Sequence, residues 1–327
     1  MTGDRSTDLE AAVDAVRTAA RACRAVQERL VRPETLEKRD KSPVTVADFA
    51  SQAIVCARLF GYRSDDPVVG EEDASALRED AQAGLRAAVA ERVGEELGER
   101  ADEERVLSWI DLGSAKAEGP RYWTLDPIDG TKGFLRREQY AVALALIEDG
   151  EVVLGVLGCP NLPLHGGVGA LFSAVRGGPA WMSPLWDAEA PAQMVRVGTP
   201  ASAADARLCE SVESAHSDQT ESARIAALLG IRTEPYRIDS QCKYAAVARD
   251  DASIYLRLPT RPNYQEKIWD HAAGSLVVEA AGGRVSDIDG RPLDFTRGRT
   301  LAKNRGVVAT SGSIHDEVID AVRRVKD

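Results

Sequence analysis

The stretch from Tyr140 to Gly158 constrains the fold more than any other. It holds an apolar run, YAVALALI, a short turn, EDGE, and a second apolar run, VVLGVLG. Asp-Gly between two such runs is a hairpin signal, so Leu144–Gly158 predicts two antiparallel strands. Upstream, residues 7–31 predict a helix, with Thr7 and Glu10 in capping-box spacing and Leu9, Val13, Val16, Ala20, Cys23 and Leu30 on one apolar face. A second helix is expected over Val46–Phe60, and a short strand, PVVG, delivers Glu71 and Glu72 at its end. From about residue 200 the pattern changes to strands alternating with helices: a helix closed by Gly230, the strand ASIYLRL, a helix stopped by Gly282 and Gly283, the strands GGRVSD and GVVAT, and a closing helix. The expected class is therefore α/β, with an α+β half over 1–200 and an α/β half over 201–327. No low-complexity linker separates them, so the halves should pack closely.

Charge narrows the partners. The chain of 327 residues carries a formal net charge of -11, which argues against a nucleic-acid polymer or an anionic membrane surface. From Glu71 to Glu104 there are 12 acidic residues against 4 arginines, a segment expected to form a solvated helix from about Ala81 to Glu104. Cys23, Cys56, Cys159, Cys209 and Cys242 are scattered, with no Cys-x-x-Cys pair and no histidine cluster, which speaks against a structural zinc site. An odd cysteine count, a polar N-terminus and apolar runs judged too short to span a bilayer predict a soluble, cytoplasmic monomer in a reducing compartment. Cys159–Gly178, rich in Pro and Gly, is expected to be a surface loop.

WTLDPIDGTKGF, Trp123–Phe134, concentrates the chemistry. A strand runs into it, and Pro127 and Gly130 predict a turn that holds Asp126 and Asp129 rigidly. Other acids also fall at element boundaries: Asp48 near a helix start, Glu71 and Glu72 at a strand end, and Asp270 opening a helix. Clustered carboxylates suit hard divalent cations such as Mg²⁺, and two such ions can activate water and stabilise a leaving oxygen in phosphoryl displacement. One aspartate of such a turn can bridge two ions, the Ile128 carbonyl can coordinate, and Gly130 and Thr131 can open a helix whose N–H groups receive phosphate. Each residue also has a plainer reading. Asp48, three residues after Thr45, would complete a capping box; Asp270 would complement a helix dipole; Lys243 and Arg257 would be surface charges. His165 and His315 lack supporting context and are expected on the surface.

SPVTVADFASQ, VVGEED, LDPIDGTKGF and WDHAAG, in that order, resemble the inositol monophosphatase superfamily of metal-dependent phosphatases. The likeness is strongest to its 3′(2′),5′-bisphosphate nucleotidase branch of plants and yeast, through RIDSQCKYAAVARDDASIYLRLP and YQEKIWDHAAG, and weakest in residues 74–108 and 164–207. The resemblance implies a layered sugar-phosphatase fold with a site between the halves and roughly two or three Mg²⁺ ions. It implies a first metal on Glu71, Asp126 and the Ile128 carbonyl, and a second on Asp126, Asp129 and Asp270. Asp48 and Thr131 would orient the attacking water, and Gly130 and Thr131 would meet the reacting phosphate. His216 and Ser217 would hold nucleotide; Ser240, Lys243 and Arg257 would hold the phosphate that is kept. The implied substrate is adenosine 3′,5′-bisphosphate, with 3′-phosphoadenylyl sulfate as a second and lithium as an inhibitor. An inositol phosphatase and a non-catalytic nucleotide-binding regulator are the rival readings.

Overall fold

The computed structural model describes residues 4–30, 42–98, 100–164, 166–212, 219–259, 261 and 264–326. In chain order its elements are α1 (Asp4–Arg29), α2 (Ser42–Tyr62), β1 (Val68–Gly70), α3 (Ala83–Leu97), α4 (Glu103–Asp111), β2 (Arg121–Asp129), α5 (Thr131–Leu135), β3 (Ala141–Glu148), β4 (Glu151–Leu164), β5 (Gly167–Val175), β6 (Ala180–Pro184) and β7 (Gln193–Val195). These continue as β8 (Leu208–Glu210), α6 (Gln219–Leu229), β9 (Tyr236–Arg237), α7 (Cys242–Ala248), β10 (Ile254–Arg257), α8 (Ala272–Ala280), β11 (Arg284–Ser286), β12 (Val307–Thr310) and α9 (His315–Lys326). A first sheet runs β1 to β7 in sequence order; a second is ordered β11-β12-β10-β8-β9.

The hairpin forms as the sequence predicts, around Asp149 and Gly150, whose φ of 48° and 82° suit a two-residue turn matching the strand twist. Its strands are apolar throughout because both faces are covered. Val142, Leu144 and Leu146 face a core shared with α1 to α4, whereas Ala141, Ala143, Ala145 and Ile147 face α7, α8 and the second sheet. Period-two alternation thus divides one strand between two cores. β12 does the same, with Val307 and Ala309 facing inward and Val308 packed against α6 and α9. The result is helices, sheet, helices, sheet, helices.

Several expectations are corrected by this layering. α1 begins at Asp4, so Thr7 lies inside the helix and not at its N-cap position. The acidic segment is two helices, broken at Gly98 (φ 70°) and restarted by Asp102, which accepts from the Arg105 amide at 2.8 Å. It is not a solvated excursion, because Val89, Ala90 and Val93 are buried in the first core. Cys159–Gly178 is not a surface loop: β4 continues to Leu164 and pairs with β5, with a register irregularity between Cys159 and Pro163. Neighbouring strands supply the backbone partners that Pro-rich composition suggested were missing. Within α2, Val44–Tyr62 is long and apolar enough to cross a membrane by length and composition. Its apolar surface instead packs in the first core, with Val44, Ala47, Ala50, Ala53, Ile54 and Leu59 buried.

Candidate active site

Strand register builds the site. β1 and β2 are parallel, with Gly70 opposite Leu125, so the residues that follow each, Glu71 and Asp126, emerge side by side. On the other side of β2, Asp126 pairs with Ala143 but Asp129 with Ala141. Three steps along β2 match two along β3, so one residue is inserted as a bulge. In a regular strand residues three apart point to opposite faces; the bulge restores Asp126 and Asp129 to one face. The predicted turn is therefore a bulge inside a continuing strand. Gly130 closes it at φ 92°, and a Cβ there would stand 2.8 Å from Ser240 Cβ. The helix that follows, α5, is a short one of 5 residues, with Gly130 at its N-cap and Thr131 at its first position.

α2 supplies the next wall. It starts at Ser42, so Thr45 is an interior residue and the capping-box reading of Asp48 fails. The same helix carries two residues that the sequence reading left without a role. Ser51 Oγ donates to the Pro127 carbonyl at 2.8 Å, backing the bulge. Gln52 Nε2 donates to the carbonyls of Glu72 at 2.5 Å and Ile110 at 2.9 Å, while its Oε1 accepts from the Glu72 amide at 3.0 Å. Both lie within the SPVTVADFASQ motif, which was the available signal.

The acids raise one another's pKa. Asp126 is 2 % exposed; burial first, then Glu71, Asp129, Asp270 and Asp48, hold its carboxyl well above the usual range. Asp48 is likewise raised, by burial and then by Glu72 and Glu71. Glu71, though still in contact with solvent, is pushed up to about 7 by desolvation, Glu72 and Asp129, against Lys267 and Arg299. Asp270 also reaches about 7, through burial first, with Asp129 and Glu71 raising it and His271 opposing. Strand register, α2 and the turn before α8 thus set Asp48, Glu71, Asp126, Asp129 and Asp270 within reach of one another's charge. Asp126 Oδ1 is buried with no hydrogen-bond partner among the described residues. Orphaned carboxylate oxygen amid other carboxylates fits divalent cations, which would satisfy the lone pairs and remove the repulsion.

The opposite wall is cationic and already partnered. Ser240, in left-handed backbone at φ 65°, accepts from the Cys242 amide at 3.1 Å. The Gln241 amide donates to Asp129 Oδ2 at 2.5 Å. The Gln241 side chain binds the Trp269 carbonyl at 2.9 Å and the Gly274 amide at 3.1 Å, so one residue ties Asp129 to the turn carrying Asp270. Lys243 is 5 % exposed, not a surface charge. Burial lowers its pKa and Asp129 opposes that; its Nζ lies over the Tyr255 ring at 5.3 Å. Arg257 Nε donates to Glu266 Oε1 at 3.3 Å.

Glu266, Asp270 and His271 present ligand atoms within 4.8 Å of one another. Two of the three already have protein partners. Glu266 Oε2 meets His271 Nε2 at 3.2 Å, and His271 Nδ1 meets the Tyr244 hydroxyl at 2.7 Å. Arg257–Glu266–His271–Tyr244 is thus a buried hydrogen-bonded chain, and Asp270 is the member turned to the other carboxylates. Burial would raise the Glu266 pKa, but the bond and charge of His271 and then Arg257 take it below the usual range. Glu266 had no role in the sequence reading; its signal was its place in YQEKIWDHAAG. His216, Ser217 and His165 lie outside the described residues. His315 corrects the surface expectation. It is fully buried and bonded at 2.9 Å to both Ser286 Oγ and Thr310 Oγ1.

Comparison with known proteins places this geometry. Residues 4–327 match the inositol monophosphatase family. The chain is 46% identical over 321 residues to a 3′(2′),5′-bisphosphate nucleotidase from Emericella nidulans, covering 89% of this chain and 90% of that one. It is 45% identical to a protein of the same name from Schizosaccharomyces pombe, covering 97% and 95%. An inositol monophosphatase from Zymomonas mobilis shares the fold at a TM-score of 0.66 and 20% identity, over 99% of this chain and 100% of that one.

Proposed function

The chain belongs to the inositol monophosphatase family of phosphatases, and on that premise we propose that it is a Mg²⁺-dependent 3′(2′),5′-bisphosphate nucleotidase. It hydrolyses the 3′-phosphate of adenosine 3′,5′-bisphosphate to AMP and phosphate, and accepts 3′-phosphoadenylyl sulfate as a second substrate. The observation that carries the choice of a bisphosphate is the pair Lys243 and Arg257. Both are largely buried and their charges reach Asp129, so a second anion site stands beside the acidic one. A monoester without a second phosphate has no use for it.

In this reading Glu71, Asp126, the Ile128 carbonyl, Asp129 and Asp270 hold the metal ions, which when bound supply a water of lowered pKa and a counter-charge for the leaving oxygen. Asp48 and the Thr131 hydroxyl orient the attacking water. Desolvation and the charges of Glu72 and Glu71 make Asp48 a stronger proton acceptor than an exposed carboxylate. Ser240, Lys243 and Arg257 retain the 5′-phosphate, with His216 and Ser217 on the nucleotide. Glu266 engages Nε of Arg257 and so orients the guanidinium plane before substrate arrives. The five buried free thiols support a reducing, cytoplasmic setting. Phosphate release from adenosine 3′,5′-bisphosphate, 3′-phosphoadenylyl sulfate, inositol 1,4-bisphosphate and inositol 1-phosphate tests the proposal. Preference for the adenosine compounds is expected; preference for either inositol ester, or no turnover of any, would overturn it.

A further inference from the structure

The two walls of the site belong to different sheets, and one side chain spans them. Arg299 lies in the segment between β11 and β12. Its backbone is pinned to the turn before α8: the Ile268 amide donates to the Arg299 carbonyl at 3.2 Å, and the Leu301 amide donates to the Glu266 carbonyl at 2.8 Å. Lys267 and Thr300 form an antiparallel bridge between those contacts. That turn ends in Asp270. The side chain reaches the other way. Nη2 donates to the Gly70 carbonyl at 2.5 Å and Nη1 to the Ala115 carbonyl at 3.3 Å. Its guanidinium also lies over the Trp269 ring, 4.7 Å from the centroid. Gly70 directly precedes Glu71, and Trp269 directly precedes Asp270.

We propose that Arg299 is a positioning residue that holds Glu71 and Asp270 at the separation the metal site requires. Glu71 sits at the end of a strand of 3 residues, whose short ladder gives its tip little stiffness. Gln52 grips Glu72 from the α2 side; Arg299 grips Gly70 from the second sheet. Together they restrain the backbone on both sides of Glu71. Arg299 also links that position to Asp270, through the backbone of Ile268 and the face of Trp269. The planar fork suits this work, since two carbonyls on separate segments are met by two nitrogens of one rigid group. A lysine could reach one of them and would keep the charge. Loss of the clasp leaves the ligands intact and their spacing loose, which lowers metal affinity more than it disturbs the fold.

This inference rests on the reading of Glu71 and Asp270 as metal ligands, and its test separates the two. Full-length protein is stripped with a chelator and titrated with MgCl₂ alone, reading the binding midpoint by isothermal titration calorimetry and the Tm with and without Mg²⁺. Wild type, Arg299→Ala, Arg299→Lys, Arg299→Gln and, as a control, Arg284→Ala are compared; Arg284 is half-exposed and paired with Asp316. The expected midpoint rises about tenfold in R299A, less in R299K, and is unchanged in R284A. R299K and R299Q carry the same comparison should R299A fail to fold. A lower metal-free Tm with an unchanged midpoint in the Arg299 variants means a merely structural arginine and overturns the proposal alone. A wild type whose Tm does not respond to Mg²⁺ overturns the ligand reading, and this inference with it.

Discussion

The two walls of the site differ in how their charges are satisfied. On the side of the first sheet, Asp48, Glu71, Asp126 and Asp129 face one another, all with raised pKa, and Asp126 Oδ1 lacks a partner among the described residues. From α2 and β2, what holds that side in place is neutral: Ser51, Gln52 and the bulge; the one charged hold is Arg299, which reaches Gly70 from the second sheet. On the side of the second sheet, each charge except that of Asp270, which joins the acids with a pKa of about 7, is matched within the protein. Arg257 has Glu266, Glu266 has His271, His271 has Tyr244, and Lys243 has the Tyr255 face and the field of Asp129. The contrast teaches that one wall is completed by something from outside, whereas the other is organised beforehand. An unfinished acidic wall costs stability until cations arrive, and a finished cationic wall lowers the entropy lost on binding phosphate.

The largest expected effect breaks the acidic wall. Asp126→Asn should cut turnover by ~10³-fold or more, because the charge that the proposed reading assigns to the metal ions is gone. The same change should raise the Tm of the metal-free protein by a few degrees, about 1–2 kcal/mol, since a buried unpartnered acid becomes neutral. Calorimetry without metal, beside a phosphate-release assay, checks both signs; a metal-free protein made less stable by D126N would contradict the unfinished wall.

Breaking the cationic wall should do the opposite to stability. Arg257→Ala leaves the buried Glu266 with His271 as its remaining partner, at a cost of roughly 3 kcal/mol. It should also lower kcat/KM for adenosine 3′,5′-bisphosphate about 10- to 150-fold, the range of a lost charge-assisted contact, while sparing adenosine 3′-monophosphate. Both substrates share the acidic site, so their ratio cancels general damage. Equal losses on both would make Arg257 structural.

A third variant sharpens the claim that neutral groups scaffold the acids. Gln52→Ala removes three hydrogen bonds around Glu72 and Ile110, for about 2–3 kcal/mol. Because no ion pair is lost, the cost measured by urea unfolding should be the same at low and high salt. A cost that shrinks in salt would show that Gln52 acts through charge.

The smallest effect lies outside both walls. Ser286 Oγ donates to the Asp287 carbonyl at 2.8 Å, so it accepts from His315 Nε2–H, and Nδ1 accepts from the Thr310 hydroxyl. Burial first, and then Arg284, lower the His315 pKa to about 4. The unfolded chain takes up this proton below about 6.5 and the folded chain resists it. The stability concerned is therefore complete above pH 6.5 and lost as pH falls towards 4. Between those limits wild type should lose about 2 kcal/mol more than His315→Gln, read from urea midpoints at several pH values. Parallel pH profiles would remove His315 as a titrating group.

Legibility in the sequence followed the range of each interaction. Asp126 and Asp129 were readable because their relation is local: a Pro and a Gly within five positions, next to a strand. Asp48, Glu71 and Asp270 were readable as short motifs in a fixed order. Glu266 and Gln241 sat inside quoted motifs, yet their roles depend on His271, Arg257 and Asp129 arriving from elsewhere. Arg299 is 229 positions from the carbonyl it holds. His315 looked like a surface residue because nothing nearby in the chain shows that Ser286 and Thr310 will enclose it. Cys159–Gly178 read as loop because proline and glycine weaken a lone strand, but β3, β5 and β6 supply the ladder that composition could not reveal.

The chain by itself determined the hairpin, the apolar helices, the acids at element ends and the family they resemble, since each rests on residues a few positions apart and on the two periods of backbone geometry. Tertiary structure alone decided that a one-residue bulge turns Asp126 and Asp129 to the same face, and that parallel pairing of Gly70 with Leu125 sets Glu71 beside them. It also decided which charges stay unsatisfied. Register and burial are properties of paired segments, and a carboxylate's need for a cation exists only once distant segments have excluded its water.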